Sequence, residues 1–215
     1  MVQLIQKRMT RSTHALLIGA TVSMPLFIVL WALQAFTREG FRPTFHPLSL
    51  LSLGEGGWVQ ILNFVVTGLL VIGGGIGLAR VLAAGRLTRW AGILIALMGV
   101  GLVVAGVFVA DGGAGFPVGA PAGAPVMSWH GAVHEVGFVL TQLAFVALAI
   151  VLAFRFGRST QRGWMTASIV SVVSALLVAA LGDPDTLAIR LVVSSAIELG
   201  LVSALALAAV RDRVR

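Results

Sequence analysis

Three of the four histidines in this sequence stand where they could act together. His130 and His134 lie four apart in Trp129-His130-Gly131-Ala132-Val133-His134-Glu135, which puts both imidazoles on one face of a helix, one turn apart. That pair offers two ligands at a spacing zinc accepts, and His46 or Asp111 could complete a three-ligand site with an open position. A water on such a zinc would need a proton acceptor, and Glu135 is the candidate general base. The metal candidates are therefore His46, Asp111, His130 and His134, with zinc as the candidate cofactor. The pair is not embedded in the His-Glu-x-x-His order of zinc proteases. A hydrogen-bonded network that only ties helix ends to a loop would use the same residues, so both readings stay open.

A second group consists of polar residues inside apolar runs, where each must find a partner because unpaired polar groups in hydrocarbon cost several kcal/mol. Gln60, Asn63 and Thr67 form one stripe at spacings of three and four. Arg190, Ser194 and Glu198 form another at successive fours. Arg190 and Glu198 are about 12 Å apart along the axis, so Glu198 needs another partner or a proton. Phe138 and Gln142 extend the histidine face inward. The expectation is a single outward-facing polar pocket where His46, Asp111, His130, His134 and Glu135 meet, with Asn63, Arg190, Ser194 and Glu198 in or beside it.

The elements that must position these residues follow from composition. The chain has 215 residues, 58% hydrophobic and 11% charged, with mean hydropathy +1.01. Eight carboxylates and fifteen Lys or Arg cannot coat a soluble core of this size. No cysteine is present, which excludes disulfides, thiolate metal sites and a cysteine nucleophile. A span needs about 20 apolar residues, and six runs meet that need: about 14–36, 58–81, 90–110, 130–154, 164–182 and 187–210. The reading is all-α, a single six-helix transmembrane bundle over residues 1–215.

The net charge of +7 is explained by topology rather than by nucleic acid, for the basic residues fall in small groups between spans. Lys7, Arg8 and Arg11, then Arg80, Arg86 and Arg89, then Arg155, Arg158 and Arg162, and finally Arg211, Arg213 and Arg215 lie on one side; Arg38, Arg42 and Arg190 lie on the other. The positive-inside rule places both termini in the cytoplasm. All five tryptophans fall at or near expected helix ends, as headgroup anchors do. The first run is too long for a secretory signal and is read as a retained helix. Pro25 within it is expected to kink it. Gly73 and Gly77, the set Ala167, Ser171, Ala175 and Ala179, and the set Ala196, Gly200, Ala204 and Ala208 give small-residue faces for close packing. The run Gly73-Gly74-Gly75-Ile76-Gly77 lacks the lysine of a phosphate loop. The Gly-, Pro- and Ala-rich connection before Trp129 is expected to fold back as a flexible lid.

His46-Pro47-Leu48-Ser49, Gly54-Glu55-Gly56-Gly57-Trp58, the Gly-rich second helix, Asp111 closing the third, and His130 with His134 opening the fourth together resemble the bacterial and archaeal family called domain of unknown function 998. The resemblance covers about residues 14–210 and implies a six-helix fold in a prokaryotic cytoplasmic membrane, without bringing an activity. A more distant similarity is to the alkaline ceramidase and adiponectin receptor superfamily of membrane zinc amide hydrolases. Those have seven helices and carry paired histidines on the last, so the similarity is one of analogy.

Three function classes follow, in this order. The first is a structural or accessory membrane protein whose polar cluster supports the bundle. The second is a metal-dependent hydrolase of a lipid or lipid-linked substrate, and the third a small proton-coupled transporter using Glu198. Membrane lipids are the expected partners, with a homo-oligomer or membrane complex as a further option and no nucleic acid.

Overall fold

The computed structural model describes residues 9–82, 85–159 and 161–211; Lys7, Arg8, Arg213 and Arg215 lie outside them. Six helices account for most of the chain: α1 (Arg11–Thr37), α2 (Gly57–Val81), α3 (Arg86–Val107), α4 (Trp129–Gly157), α5 (Arg162–Ala180) and α6 (Leu187–Val210). Each is long and apolar enough to cross a membrane. Short 3-10 turns occupy Leu48–Ser52 and Pro184–Thr186. Among the described residues there is no β-strand, only one bridge between Gly113 and Phe116.

The helix ends show what hydropathy sees and what it misses. α1 starts at Arg11, three residues before the apolar run, because the Thr10 hydroxyl accepts from the Thr13 N–H at 3.2 Å. α3 is shifted in the same way. Its first turn, Arg86-Leu87-Thr88-Arg89, is polar yet helical, while the apolar Phe108-Val109-Ala110 lies beyond its end. Asp111 therefore does not close α3 but stands in the connection after it.

Each helix packs against its neighbours in sequence, and α6 returns to α1, so the six form a ring with α2 also touching α6. Without a hydrophobic force between helices in lipid, close backbone approach must hold them. Glycine supplies it. A Cβ on Gly68 would lie 2.6 Å from the Gly99 carbonyl oxygen, and one on Gly92 2.9 Å from that of Gly75, so α2 and α3 touch backbone to backbone. Gly101 and Gly137 do the same for α3 and α4. Gly73 and Gly77 face Leu16 and Leu17 of α1. The small-residue set on α6 is divided: Gly200 looks into open space and Ala204 is exposed, whereas Ala208 is buried with Val202, Leu205, Ala206 and Ala209 in the packed face.

Pro25 lies inside α1 without breaking it. In the turn before it, the Ser203 hydroxyl of α6 donates to the Ala20 carbonyl at 3.0 Å and accepts from the Met24 N–H at 3.4 Å. Ser23 of α1 donates to the same Ala20 carbonyl at 2.8 Å, so the two serines join α1 to α6 one turn before the proline.

The connections 38–56, 108–128 and 181–186 lie at one end, called here the capped end, and the termini at the other. Residues Phe41, Leu50, Leu51, Ala110 and Phe116 of the first two connections close over Trp31, Ala35 and Val192 as a second small core. Trp31 is accordingly a core residue, unlike Trp58, Trp90 and Trp129, which are exposed near helix starts. The guanidinium of Arg38 binds the Leu51 and Leu53 carbonyls at 3.1 and 2.6 Å. The 108–128 connection is folded on itself, with Ala114 N–H to Gly123 O at 2.8 Å and Gly115 N–H to Pro121 O at 2.9 Å. It is fastened to the first connection rather than arranged as a lid, since Phe116 packs on Phe41 and His46.

Candidate functional site

The expected site residues fall into four places. His46 belongs to the cap. Its Nδ1 accepts from the Arg42 N–H at 2.9 Å, which puts the ring proton on Nε2, and Nε2–H donates to the Ala114 carbonyl at 3.1 Å. The ring is 2% exposed and packed among Phe41, Phe45 and Phe116. Both nitrogens are used in joining two connections.

His130, His134 and Asp111 secure the join between α3 and α4. α4 begins after Ser128, whose hydroxyl accepts from the Gly131 N–H at 3.1 Å, while the Ser128 N–H donates to Asp111 Oδ2 at 2.8 Å. Those two groups of Ser128, its N–H first, hold the Asp111 carboxyl below its usual range. A Cβ on Gly131 would collide with that carboxylate. One turn apart, the two imidazoles face the C-terminal end of α3. His130 Nδ1–H donates to Val109 O at 3.0 Å, and His134 Nδ1–H is shared between Ala105 O and Phe108 O, each at 2.9 Å. The four-residue spacing matches those carbonyls: Ala105 O lies in the last turn of α3, where carbonyls lack intrahelical partners, and Phe108 O and Val109 O follow just beyond it. His130 Nε2 lies 3.8 Å from Asp111 Oδ1.

The third place is a cavity of about 180 Å³ within the capped half of the bundle, walled by α1, α2, α3, α4, α6 and Pro47–Ser49. Its sides are largely apolar, including Phe27, Phe64, Leu102, Phe138, Leu191 and Leu199. Glu198 lies in its wall, 3% exposed, near the midpoint of α6. One carboxylate oxygen accepts from Gln142 Nε2 at 2.9 Å and from the Ser194 hydroxyl at 3.1 Å. α4 and α6 meet here through side chains rather than through packed backbones. His134 Nε2 has no hydrogen-bond partner among the described residues, and its ring, 4% exposed, also lines the cavity. Glu135 lines it too, from the exposed side of α4.

Arg190 and Asn63 stand elsewhere. The Arg190 guanidinium turns away from Glu198 and donates to Ala179 O at 2.8 Å and Asp183 O at 2.9 Å, closing the C-terminal end of α5. Asn63 joins α2 to α1, donating to Phe27 O at 3.0 Å and to Gln60 Oε1 at 3.2 Å; Gln60 in turn accepts from Gln34 at 2.9 Å. The structure thus brings together His134, Glu135, Ser194 and Glu198 at or beside one cavity, and sets His46, Asp111, His130, Arg190 and Asn63 apart from it.

Among the described residues, no three His, Asp or Glu side chains gather closely enough to hold one metal ion. The donor set does not converge on a three-ligand zinc site: both ring nitrogens of His46 are engaged in the cap, while the open Nε2 atoms of His130 and His134 lead to different places, the first toward Asp111 and the second into the cavity. Gln142, Thr141 and Ser195 are cavity residues that spacing alone did not select; Gln142 is foreshadowed only by its place on the inward face of α4. No curated protein and no solved structure matches the chain. A family model does match, over residues 21–210, and the chain therefore belongs to the family described as protein of unknown function DUF998.

Proposed function

We propose that the protein is an accessory component of a prokaryotic cytoplasmic membrane that holds an amphiphilic molecule in the cavity between α4 and α6, with both termini cytoplasmic and the capped end outside. The observation that carries this reading is the cavity itself: apolar walls that suit a hydrocarbon tail, with a few convergent polar groups at Glu198, Gln142 and His134 to fix a head. The basic residues support the orientation. Arg11, Arg80, Arg86, Arg89, Arg155, Arg158, Arg162 and Arg211 lie toward the end of the termini, against Arg38, Arg42 and Arg190 toward the cap.

The histidines and Asp111 then serve the fold, as the first function class holds. Hydrolysis at a metal has less support, because among the described residues the candidate donors do not converge on one point. Proton-coupled transport also has less support. Beyond Glu198 toward the termini Leu148, Leu152, Val202 and Leu205 are buried, and the polar pair Ser23 and Ser203 there is uncharged and bonded to itself and to the α1 backbone, which is a poor path for a proton or solute.

Native mass spectrometry of the purified protein tests the reading. Wild type should carry amphiphile adducts, and Ser195→Phe, which fills the cavity wall, should lose them while keeping its helicity. Adducts equal in both proteins would remove the cavity as the binding place.

A further inference from the structure

Resting on the reading of the cavity as an amphiphile site, we propose that its ligand is a lipophilic cation, a hydrocarbon body carrying a quaternary or protonated amine. The charge balance of the cavity points there. Its lining holds two carboxylates, Glu135 and Glu198, and neither Lys nor Arg. The nearest cation by sequence, Arg190, is committed to the end of α5.

Glu198 receives only neutral donors, the Gln142 amide and the Ser194 hydroxyl, and both reach the same oxygen. Its second oxygen has no hydrogen-bond partner among the described residues. A carboxyl group in so apolar a place takes either a proton or a counter-charge, and a bound cation would supply the second. His134 adds a second acceptor: with its Nδ1 proton given to Ala105 O and Phe108 O, Nε2 presents a lone pair. The charged side chains offered to a ligand are therefore both carboxylates, with the His134 lone pair beside them and only neutral hydroxyls such as Ser49 and Ser195 able to donate, which favours a cationic head over sulfate, phosphate or carboxylate. Phe27, Phe64 and Phe138 in the same wall can take a cation against an aromatic face as well as a tail. Glu135, on the exposed side of α4, would meet such a ligand as it enters from that side.

Three probes sharing one tail separate this proposal from the reading beneath it: decyltrimethylammonium, decyl sulfate and decanol, each titrated against the full chain in nanodiscs of zwitterionic lipid. Binding is read by native mass spectrometry. The ammonium should bind saturably, decyl sulfate and decanol at least about tenfold more weakly. Glu198→Gln keeps the shape and the hydrogen bonds, and should weaken the ammonium about tenfold while leaving decanol unchanged. Glu135→Gln, at an exposed position, should slow its association. If decanol or decyl sulfate binds as tightly as the ammonium, or if Glu198→Gln binds it as wild type does, the cation proposal is overturned and the amphiphile reading stands. If none of the three binds, the amphiphile reading itself fails.

Discussion

His134 donates one proton to two carbonyls at once, Ala105 O and Phe108 O, each 2.9 Å from Nδ1. A single imidazole on α4 thereby closes the last turn of α3. His134→Ala should destabilise the bundle by about 1–3 kcal/mol, the cost of leaving buried acceptors unmet. Thermal unfolding in a fixed detergent measures it. Near-stoichiometric zinc in wild type, absent from a His130→Ala, His134→Ala double variant, would overturn the role given to these histidines.

Asp111 makes that join sensitive to acid. Its carboxyl is held below the ordinary 3.8 by the Ser128 N–H, so the folded state binds the proton less readily than the unfolded chain. The stabilisation is complete above the ordinary value and is lost as pH falls through the lower folded one. Wild type should lose more thermal stability between pH 6 and pH 3 than Asp111→Asn, and parallel curves would contradict the assignment.

Glycine contacts give a graded series. Gly99→Ala drives a methyl into the Gly68 backbone and should cost about 1–3 kcal/mol. Gly131→Ala collides with Asp111 and belongs with it. Gly200→Ala enters open space and should be neutral or stabilising by up to about 1 kcal/mol. Melting temperatures that fail to follow this order would show that the close approaches do not hold the helices.

Orientation can be read with single cysteines, since the chain has none of its own. Glu55→Cys should react with a membrane-impermeant maleimide in intact cells. Gly85→Cys should react only after permeabilisation. The reverse pattern would invert the topology.

The spans were legible because a run such as 187–210 must be predominantly apolar to cross lipid, and α6 occupies those residues. Ends were legible only where polarity and helicity change together. At α3 they do not: Arg86 is polar and helical, whereas Phe108 is apolar and turns into the cap. For the candidate site, spacing placed residues on a face but could not aim their atoms. His130 and His134 do share a face, yet their protons go to backbone that a sequence does not display. Arg190 shares a stripe with Glu198, but side chains on a helix lean toward its start, and Arg190 reaches the end of α5. Gln142 was invisible as a partner of Glu198 because the two belong to different helices, and nothing in either segment sets their relative depth.

The hydroxyl of Ser203, placed between Ala20 O and the Met24 N–H, has a bearing on how the molecule is made. α1 is made before α6, so the Ala20 carbonyl first has only the Ser23 hydroxyl of its own helix as a side-chain donor. During synthesis the nascent protein is an open arc with a polar notch in its first span. Arrival of the sixth span sets the Ser203 hydroxyl against that of Ser23 and closes the circle, so the notch of the first helix is covered by the last helix to be made.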